Sequence, residues 1–321
     1  LIMACTTGFS RRSVGYVGFS DGWQDVMHHF KMDWQFESAL NGNIALTGEI
    51  NLPHNGEFTM AVAFGRSYQS TTAKLFQSLA EPFESSREGY VRQWQRAVIN
   101  PEFDFSNDTS DGGGEYRLSR CVLLAHEDKV FQGAMVASMS IPWGEAKGDL
   151  EYGGYHLVWT RDLVQSATAL LATGQTGTPL RALIWLAAIQ RPDGSFPQNS
   201  WIDGTAYWSG LQLDQVAFPI LLAWHLHKND ALGLFDPRVM IVRAAARLLL
   251  RGPVTAQERW EENSGYSTST LAVVIAALAC AADWGMETGN IDAADFVFAY
   301  ADWLAAHVEE WTVTTAGELV K

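Results

Sequence analysis

The stretch Thr-Arg-Asp-Leu-Val-Gln-Ser-Ala-Thr-Ala-Leu-Leu-Ala-Thr-Gly, residues 160–174, decides the fold class of this chain. Its apolar residues recur at helical spacing, and Gly174 supplies a helix stop. Five more amphipathic segments follow, with no strand pattern between them. The predicted helices span residues 161–173, 179–190, 211–228, 237–251, 268–284 and 291–308. The second half is therefore predicted to consist of helical hairpins rather than strand–helix–strand units.

Residues 1 to about 140 have a different pattern, in which short apolar segments alternate with turn signals. The predicted strands lie at residues 15–19, 36–40, 44–50 and 57–64, with Asn41-Gly42-Asn43 as a candidate hairpin turn. Residues 71–99 have helical spacing, and residues 107–114 form a polar, glycine-rich loop. We expect one domain over residues 1–145, with β structure and a helical linker, and a helical domain over residues 146–321.

The charge balance excludes two classes of partner. Among 321 residues, 36 acidic residues stand against 22 basic ones, a net charge of -14. Nucleic acids and anionic membrane surfaces need basic patches, so neither is an expected partner. The longest apolar run, residues 271–282, is too short to span a bilayer. A neutral polymer such as a sugar chain is compatible with this charge, and the 13 Trp residues suit either sugar stacking or core packing.

Neither metal nor cofactor signatures occur in the sequence. Cys5, Cys121 and Cys280 lie far apart, which predicts buried thiols rather than a disulfide framework. The eight His residues are scattered without zinc-site spacing, and there is no phosphate-binding loop, dinucleotide fingerprint or nucleophile elbow. We therefore predict no cofactor, while structural calcium cannot be derived from the sequence.

Two polar aromatic clusters precede predicted helices. Trp159-Thr160-Arg161-Asp162 combines an indole, a fork of donors and an acceptor, which suits neighbouring sugar hydroxyls. The same residues also suit a plain helix start, with Thr160 as the N-cap and Asp162 in the first turn. Tyr207-Trp208, with Gln212 and Asp214, forms either a second stacking wall or a buried aromatic pair.

Arg259-Trp260-Glu261-Glu262 is the most informative cluster. Two adjacent carboxylates beside an indole resist full ionisation in a partly dry site, and a general acid needs that property. A charged helix entry on the surface is the alternative. The sequence Asn-Ser-Gly-Tyr-Ser that follows favours a structured loop instead.

In chain order, the segments 156–162, 207–214 and 259–267 resemble glycoside hydrolase family fifteen, the family of glucoamylases and glucodextranases. Residues 15–25 are similar to part of the N-terminal β-sandwich of its bacterial branch. The resemblance implies a β-sandwich followed by an all-α (α/α)₆ barrel, the six-hairpin toroid that carries catalysis. About six of its twelve helices are predicted here, so we expect a fragment that lacks both ends and holds about half of the barrel.

The resemblance also implies a role for each matching residue. Glu261 matches the catalytic general acid, and Glu262 matches a neighbouring carboxylate that binds sugar hydroxyls. Arg161 and Asp162 match the pair that grips the terminal glucose. The remaining matches to the substrate site are the aromatic walls Trp159, Trp208 and Trp260 and, more weakly, Gln212.

The implied activity is exo-acting, inverting removal of glucose from the non-reducing ends of α-glucans. Inversion needs a second carboxylate, roughly 6.5–9.5 Å from the acid, and no motif for it occurs before Lys321. A dextran- or trehalose-specific hydrolase and a non-catalytic carbohydrate-binding pseudoenzyme stay open as alternatives. The resemblance further implies an α-glucan partner, a monomer at full length, and a secreted or periplasmic location, with an intracellular one left open.

Overall fold

The computed structural model describes residues 1–98, 104–139 and 154–313. The chain forms two compact units, Leu1–Ile99 and Asn100–Lys321. The domain boundary predicted between residues 145 and 146 lies outside the described residues and stays a prediction.

The first unit contains two antiparallel strand pairs. β1 (Ile2–Cys5) pairs with β4 (Met60–Ala63), and β2 (Arg11–Tyr16) pairs with β3 (Ile44–Glu49). The strand predicted at residues 36–40 is not formed, although the Phe36 carbonyl accepts from the Val14 amide. Asn41 and Gly42 do turn the chain with positive φ, but β3 pairs with β2 instead of with the segment before the turn.

Three helices complete this unit: α1 (Gly22–His29), α2 (Tyr68–Ala80) and α3 (Phe83–Val98). The sequence pattern did not predict α1, whose first turn is capped by the Asp21 side chain accepting from the Gln24 amide. The single helix predicted over residues 71–99 is two helices. The break falls at Glu81, which is extended because Pro82 disfavours the helical conformation in the residue before it.

The second unit is helical. Its elements are α4 (Gly114–Ala125), α5 (Thr160–Ala172), α6 (Gly177–Ile189), β5 (Asn199–Ser200), β6 (Ala206–Trp208), α7 (Leu213–Lys228), α8 (Arg238–Arg251), α9 (Thr268–Glu287) and α10 (Ile291–Thr312). The six helices predicted after Thr160 are all present, with ends shifted by at most four residues. α4 was not predicted, and Thr160 is the first residue of α5 instead of its N-cap, which is Trp159.

The helices of this unit form two layers. α5, α7 and α9 pack side by side, and each also packs against the helix that follows it, α6, α8 or α10. Leu170, Leu186, Ala223, Leu248 and Leu278 are fully buried in the shared core. The N-terminal ends of α5 and α7 lie together, because Arg161 in the first turn of α5 donates to Asp214 in the first turn of α7.

By length and composition, α9 is apolar enough to cross a membrane, with a mean hydropathy of 1.6. A core helix meets the same criterion. Leu271, Val274 and Leu278 of α9 are buried, and the helix packs against both α7 and α10. The apolar composition of α9 is therefore explained by packing on two sides.

Candidate active site

Most of the predicted site residues come together at the N-terminal ends of α5 and α7 and in the loop before α9. The residues joined by contacts are Trp159, Arg161, Asp162, Trp208, Gln212 and Glu261, whereas Trp260 and Glu262 are neighbours of Glu261 in the chain. Trp159 is the N-cap of α5 and Gln212 is the N-cap of α7. Glu261 lies in the loop that leads into α9. Although these residues are far apart in the sequence, hydrogen bonds join them directly. The partial positive charge at helix N-termini favours carboxylates at such a position.

The Glu261 carboxylate is held at one oxygen. Its Oε1 accepts a hydrogen bond of 2.9 Å from the Trp159 indole Nε1 and one of 3.2 Å from Gln212 Nε2. No hydrogen bond to Oε2 occurs among the described residues. The carboxylate is thus oriented by two neutral donors, which leaves its second oxygen available to a bound molecule.

A buried ion pair lies behind this carboxylate. Arg161 Nη1 donates to Asp214 Oδ2 over 3.1 Å and to Gln212 Oε1 over 3.0 Å. Arg161 and Asp214 are 8% and 3% exposed, so neither charge is screened by bulk water. Burial raises the pKa of Asp214 above its ordinary value, against the opposing charge and hydrogen bond of Arg161. Gln212 touches both Arg161 and Glu261, and it therefore links the ion pair to the carboxylate.

Asp162 lies at the exposed end of the Arg161 guanidinium. Its Oδ2 is 3.5 Å from Arg161 Nη2, and the Asp162 side chain is 44% exposed. Arg161 is therefore flanked by a buried carboxylate, Asp214, and by an accessible one. The predicted pair Arg161–Asp162 is adjacent in space, and its accessible member is the acidic one.

The predicted aromatic residues differ in exposure. Trp159 is 6% exposed and meets Trp208 edge-on, with ring centroids 6.5 Å apart. Trp208 is 48% exposed at the end of β6, and its ring contacts that of Tyr207. Trp260 is 72% exposed, with the Arg259 guanidinium 5.1 Å from its ring centroid. Trp208 and Trp260 can offer a face to a ligand, whereas Trp159 contributes its indole N–H.

The loop that carries Glu261 is organised by the carboxylate of Glu258. Its oxygens accept from the backbone amides of Trp260, over 2.9 Å, and Glu262, over 3.1 Å. The Glu258 carbonyl accepts from the Glu261 amide over 2.9 Å, which closes a turn. Glu262 therefore follows Glu261 in an ordered turn, with an exposed side chain. Glu261 itself has a φ of 67°, a left-handed conformation that costs a non-glycine residue about 1–3 kcal/mol.

Sequence reasoning missed two glutamines and a glutamate of this site. Gln257, Glu258 and Gln215 were given no role, and Gln212 had only a weak one. Gln215 Nε2 donates to Gln212 Oε1, and Gln257 Oε1 accepts from Gln212 Nε2. Uncharged amides in loops and at helix starts are ordinarily solvated, so no sequence pattern marks them. Their position in the first turn of α7 and in the loops before α7 and α9 is the signal that could have drawn attention to them.

This arrangement suits proton transfer by a carboxyl side chain. Among the described residues, no group of three or more His, Cys, Asp and Glu side chains could hold a metal ion. Cys5, Cys121 and Cys280 are free thiols, and they are partly exposed rather than buried as predicted. When it is protonated, a carboxyl group with one free oxygen, near a guanidinium and exposed indoles, can donate a proton to a neutral hydroxylated ligand.

Two family descriptions match the chain. Residues 1–97 match "Glucodextranase, domain N", and residues 120–183 and 191–315 match "Glycosyl hydrolases family 15". The first description covers most of the first unit. The second covers α5 to α10, except for residues 184–190 at the end of α6, and includes every predicted site residue.

Known proteins show the same similarity. The chain is 35% identical over 99% of its length to a glucoamylase of Clostridium sp., and 30% identical over 76% to an uncharacterized glycosyl hydrolase of Methanocaldococcus jannaschii. A bacterial glucoamylase solved in complex with acarbose superposes with a TM-score of 0.85 at 34% identity over 97% of this chain. The chain spans 44%, 39% and 45% of these three proteins, respectively. The predicted fold, a β-sandwich domain followed by an (α/α)₆ barrel, is confirmed.

Proposed function

The chain belongs to glycosyl hydrolases family 15, as its motifs predicted, and on this premise we propose that its site removes glucose from the non-reducing ends of α-glucans. The observation that carries the proposal is the Glu261 carboxylate. It is anchored at Oε1 by Trp159 and Gln212, while Oε2 has no partner among the described residues. A group fixed in this way can present a proton in one direction, as a general acid must.

In this proposal Glu261 protonates the glycosidic oxygen of the terminal glucose. Asp162 accepts from glucose hydroxyls, and Arg161 donates through the guanidinium nitrogens that Asp214 and Gln212 leave unbound. Glu262, on the accessible side of the loop, accepts from further hydroxyls. Trp208 and Trp260 stack on the apolar faces of the sugar rings, and Trp159 closes the inner wall. These groups supply binding and proton transfer, and the proposed reaction uses no cofactor.

The proposed reaction inverts the anomeric configuration. Inversion requires a second carboxylate, roughly 6.5–9.5 Å from the acid, which activates water on the opposite face of the sugar. Asp214 is buried against Arg161, and Glu262 is the next residue after Glu261, so neither suits that role. More than half of the Clostridium glucoamylase has no counterpart in these 321 residues, and we assign the base to that remainder.

The test is glucose release from maltotriose by the full-length protein and its Glu261→Gln variant. Because a general acid contributes roughly 10²–10⁴-fold to the rate, the variant should lose kcat by at least the lower figure. The matched control is Glu310→Gln, an exposed carboxylate on α10, which should keep the normal rate. Near-normal turnover by Glu261→Gln would show that Glu261 is not the general acid.

A second candidate is the α-1,6-linked glucan dextran, because residues 1–97 match a domain of glucodextranases. Rates on maltotriose, isomaltotriose and trehalose separate the linkages, and a preference of tenfold or more for one of them assigns it. If none of these sugars is cleaved and acarbose still binds, the site binds carbohydrate without hydrolysing it.

A further inference from the structure

The loop before α9 is closed on itself. Thr255 and Gly265 exchange two backbone hydrogen bonds of 3.0 Å, and the Glu258 amide donates to the Asn263 carbonyl over 2.8 Å. The fully buried Thr255 anchors the loop to α7, because its hydroxyl accepts from the Leu213 amide over 3.3 Å. The base of the loop is therefore fixed, and Glu261 lies at its far end.

The backbone of Glu261 is the part of the loop that most needs support. Its left-handed conformation is unfavourable for a residue with a side chain, and relaxation to negative φ would swing the carboxylate away. The Glu258 carboxylate bonds the amides on either side of Glu261, those of Trp260 and Glu262. Because a carboxylate only accepts hydrogen bonds here, the Glu261 carbonyl needs a donor from another side chain.

Gln257 supplies that donor. Its Nε2 donates to the Glu261 carbonyl over 3.2 Å, and its Oε1 accepts from Gln212 Nε2 over 3.2 Å. The same Gln212 Nε2 also donates to Glu261 Oε1. Gln257 and Gln212 therefore hold Glu261 at two points, its main-chain carbonyl and its carboxylate.

Gly210 lies close to the amide of Gln257. A Cβ added to Gly210 would lie 2.9 Å from Gln257 Oε1 and would also overlap the Gln198 side chain. Gly210 thus allows the chain before α7 to pack closely on both glutamines.

We propose that Gln257 is a positioning residue for the acid: its amide bridges Gln212 and the Glu261 carbonyl, and it holds Glu261 in the left-handed conformation that aims the carboxylate. The proposal rests on the proposed function for its catalytic consequence. The effect of Gln257 on the conformation of Glu261 does not depend on catalysis and can be measured without substrate turnover.

The kinetic test compares Gln257→Leu with a matched control, Gln190→Leu, in the full-length protein. Gln190 also bridges backbone carbonyls, those of Gly194 and Met240, but it does so between α6 and α8. Two substrates are used: maltose, whose sugar leaving group needs protonation, and 4-nitrophenyl α-glucoside, whose leaving group needs it far less. A misaimed acid should lower kcat on maltose roughly 10- to 100-fold with little change in KM, and should lower it much less on the nitrophenyl substrate.

Gln190→Leu should leave the ratio of the two rates at the wild-type value. Equal losses on both substrates in Gln257→Leu, or no loss, would overturn the positioning role while leaving the proposed function intact. A wild-type protein that releases no glucose from either substrate would instead count against the proposed function.

The conformational test is independent of activity. The Trp159 indole N–H donates to Glu261, so its ¹⁵N–¹H resonance, assigned by its loss in Trp159→Phe, reports on the carboxylate position. In Gln257→Leu this resonance should move toward the position of indoles without a hydrogen bond, and in Gln190→Leu it should stay in place. An unshifted resonance in Gln257→Leu would overturn the proposal whether or not the protein is active.

Discussion

At the scale of single residues, the site is organised by hydrogen bonds from neutral groups to one carboxylate. Trp159 carries the N–H that lies 2.9 Å from Glu261 Oε1, and only 6% of its surface is exposed. Its proposed contribution is therefore to orient the acid in addition to closing the inner wall of the sugar pocket. A phenylalanine would keep the ring and remove the donor.

We predict that Trp159→Phe lowers kcat on maltose roughly 10-fold or more, since a hydrogen bond to a charged group contributes about 1.5–3 kcal/mol. KM should change little, because the ring is retained. The matched control is Trp185→Phe, which removes an indole N–H that donates to the Ile202 carbonyl, within the core, over 3.2 Å. Equal losses in the two variants would show that the effect is one of general stability.

At the scale of elements, a close contact holds one turn of the helical unit against the neighbouring helix. Gly194, at φ 84°, follows α6 in a turn that lies directly on α8. A Cβ there would overlap the carbonyl oxygen of Arg243. A Cβ added to Gly233, at φ 56°, would meet no atom within 4 Å.

Gly194→Ala should therefore destabilise the protein far more than Gly233→Ala. The second variant has only the left-handed backbone to accommodate, at about 1–2 kcal/mol, while the first must also displace a helix carbonyl. Urea unfolding at pH 7 measures both free energies. Similar losses in the two variants would contradict the close approach of the turn to α8.

An ion pair between Glu127 and Arg181 attaches the segment before α5 to α6. Glu127 accepts two hydrogen bonds of 2.6 Å from Arg181 and further ones from Thr178 and the Gly133 amide. Burial raises the pKa of Glu127, but the fork of Arg181 and the other donors outweigh it, so the pKa lies below its ordinary value. The stabilisation is thus present above about pH 4.5 and is lost as pH falls through the lowered pKa.

Glu127→Gln should lower the free energy of unfolding by about 1–2 kcal/mol at pH 7, a modest figure because Arg181 is partly exposed. The difference from wild type should shrink as pH falls below 4.5, when the wild-type carboxylate also becomes protonated. Urea unfolding over this pH range checks it, with the exposed Glu115→Gln as control. A difference that grows toward low pH would contradict the ion pair.

The sequence predicted those elements whose pattern is local. Helices α5 to α10 have apolar residues at helical spacing and end at glycine, proline or polar loops, so periodicity located them. The segment at residues 36–40 has the composition of a strand, but β3 pairs with β2 instead, and composition does not encode partner choice. The adjacent Trp260 and Glu262 pointed to Glu261 in the sequence. No pattern pointed to Gln257, because the proposed role of Gln257 depends on the left-handed backbone of Glu261, four residues later.

At the scale of the whole molecule, the net charge and the position of the site carboxylates both suit a neutral sugar substrate. The chain carries a net charge of -14, which suits a neutral substrate, and the N-termini of α5 and α7 meet the loop that carries Glu261. The family is established over the helical unit, and the chain spans 44% of the Clostridium glucoamylase. The acid and the sugar grip are accordingly proposed within these residues, and the base outside them.

Inverting hydrolysis with Glu261 as the acid can be tested by proton NMR of the glucose that the full-length protein first releases from maltotriose. We expect β-glucose to form before mutarotation and Glu261→Gln to form almost none. Release of α-glucose first, or β-glucose at the normal rate from Glu261→Gln, would contradict it.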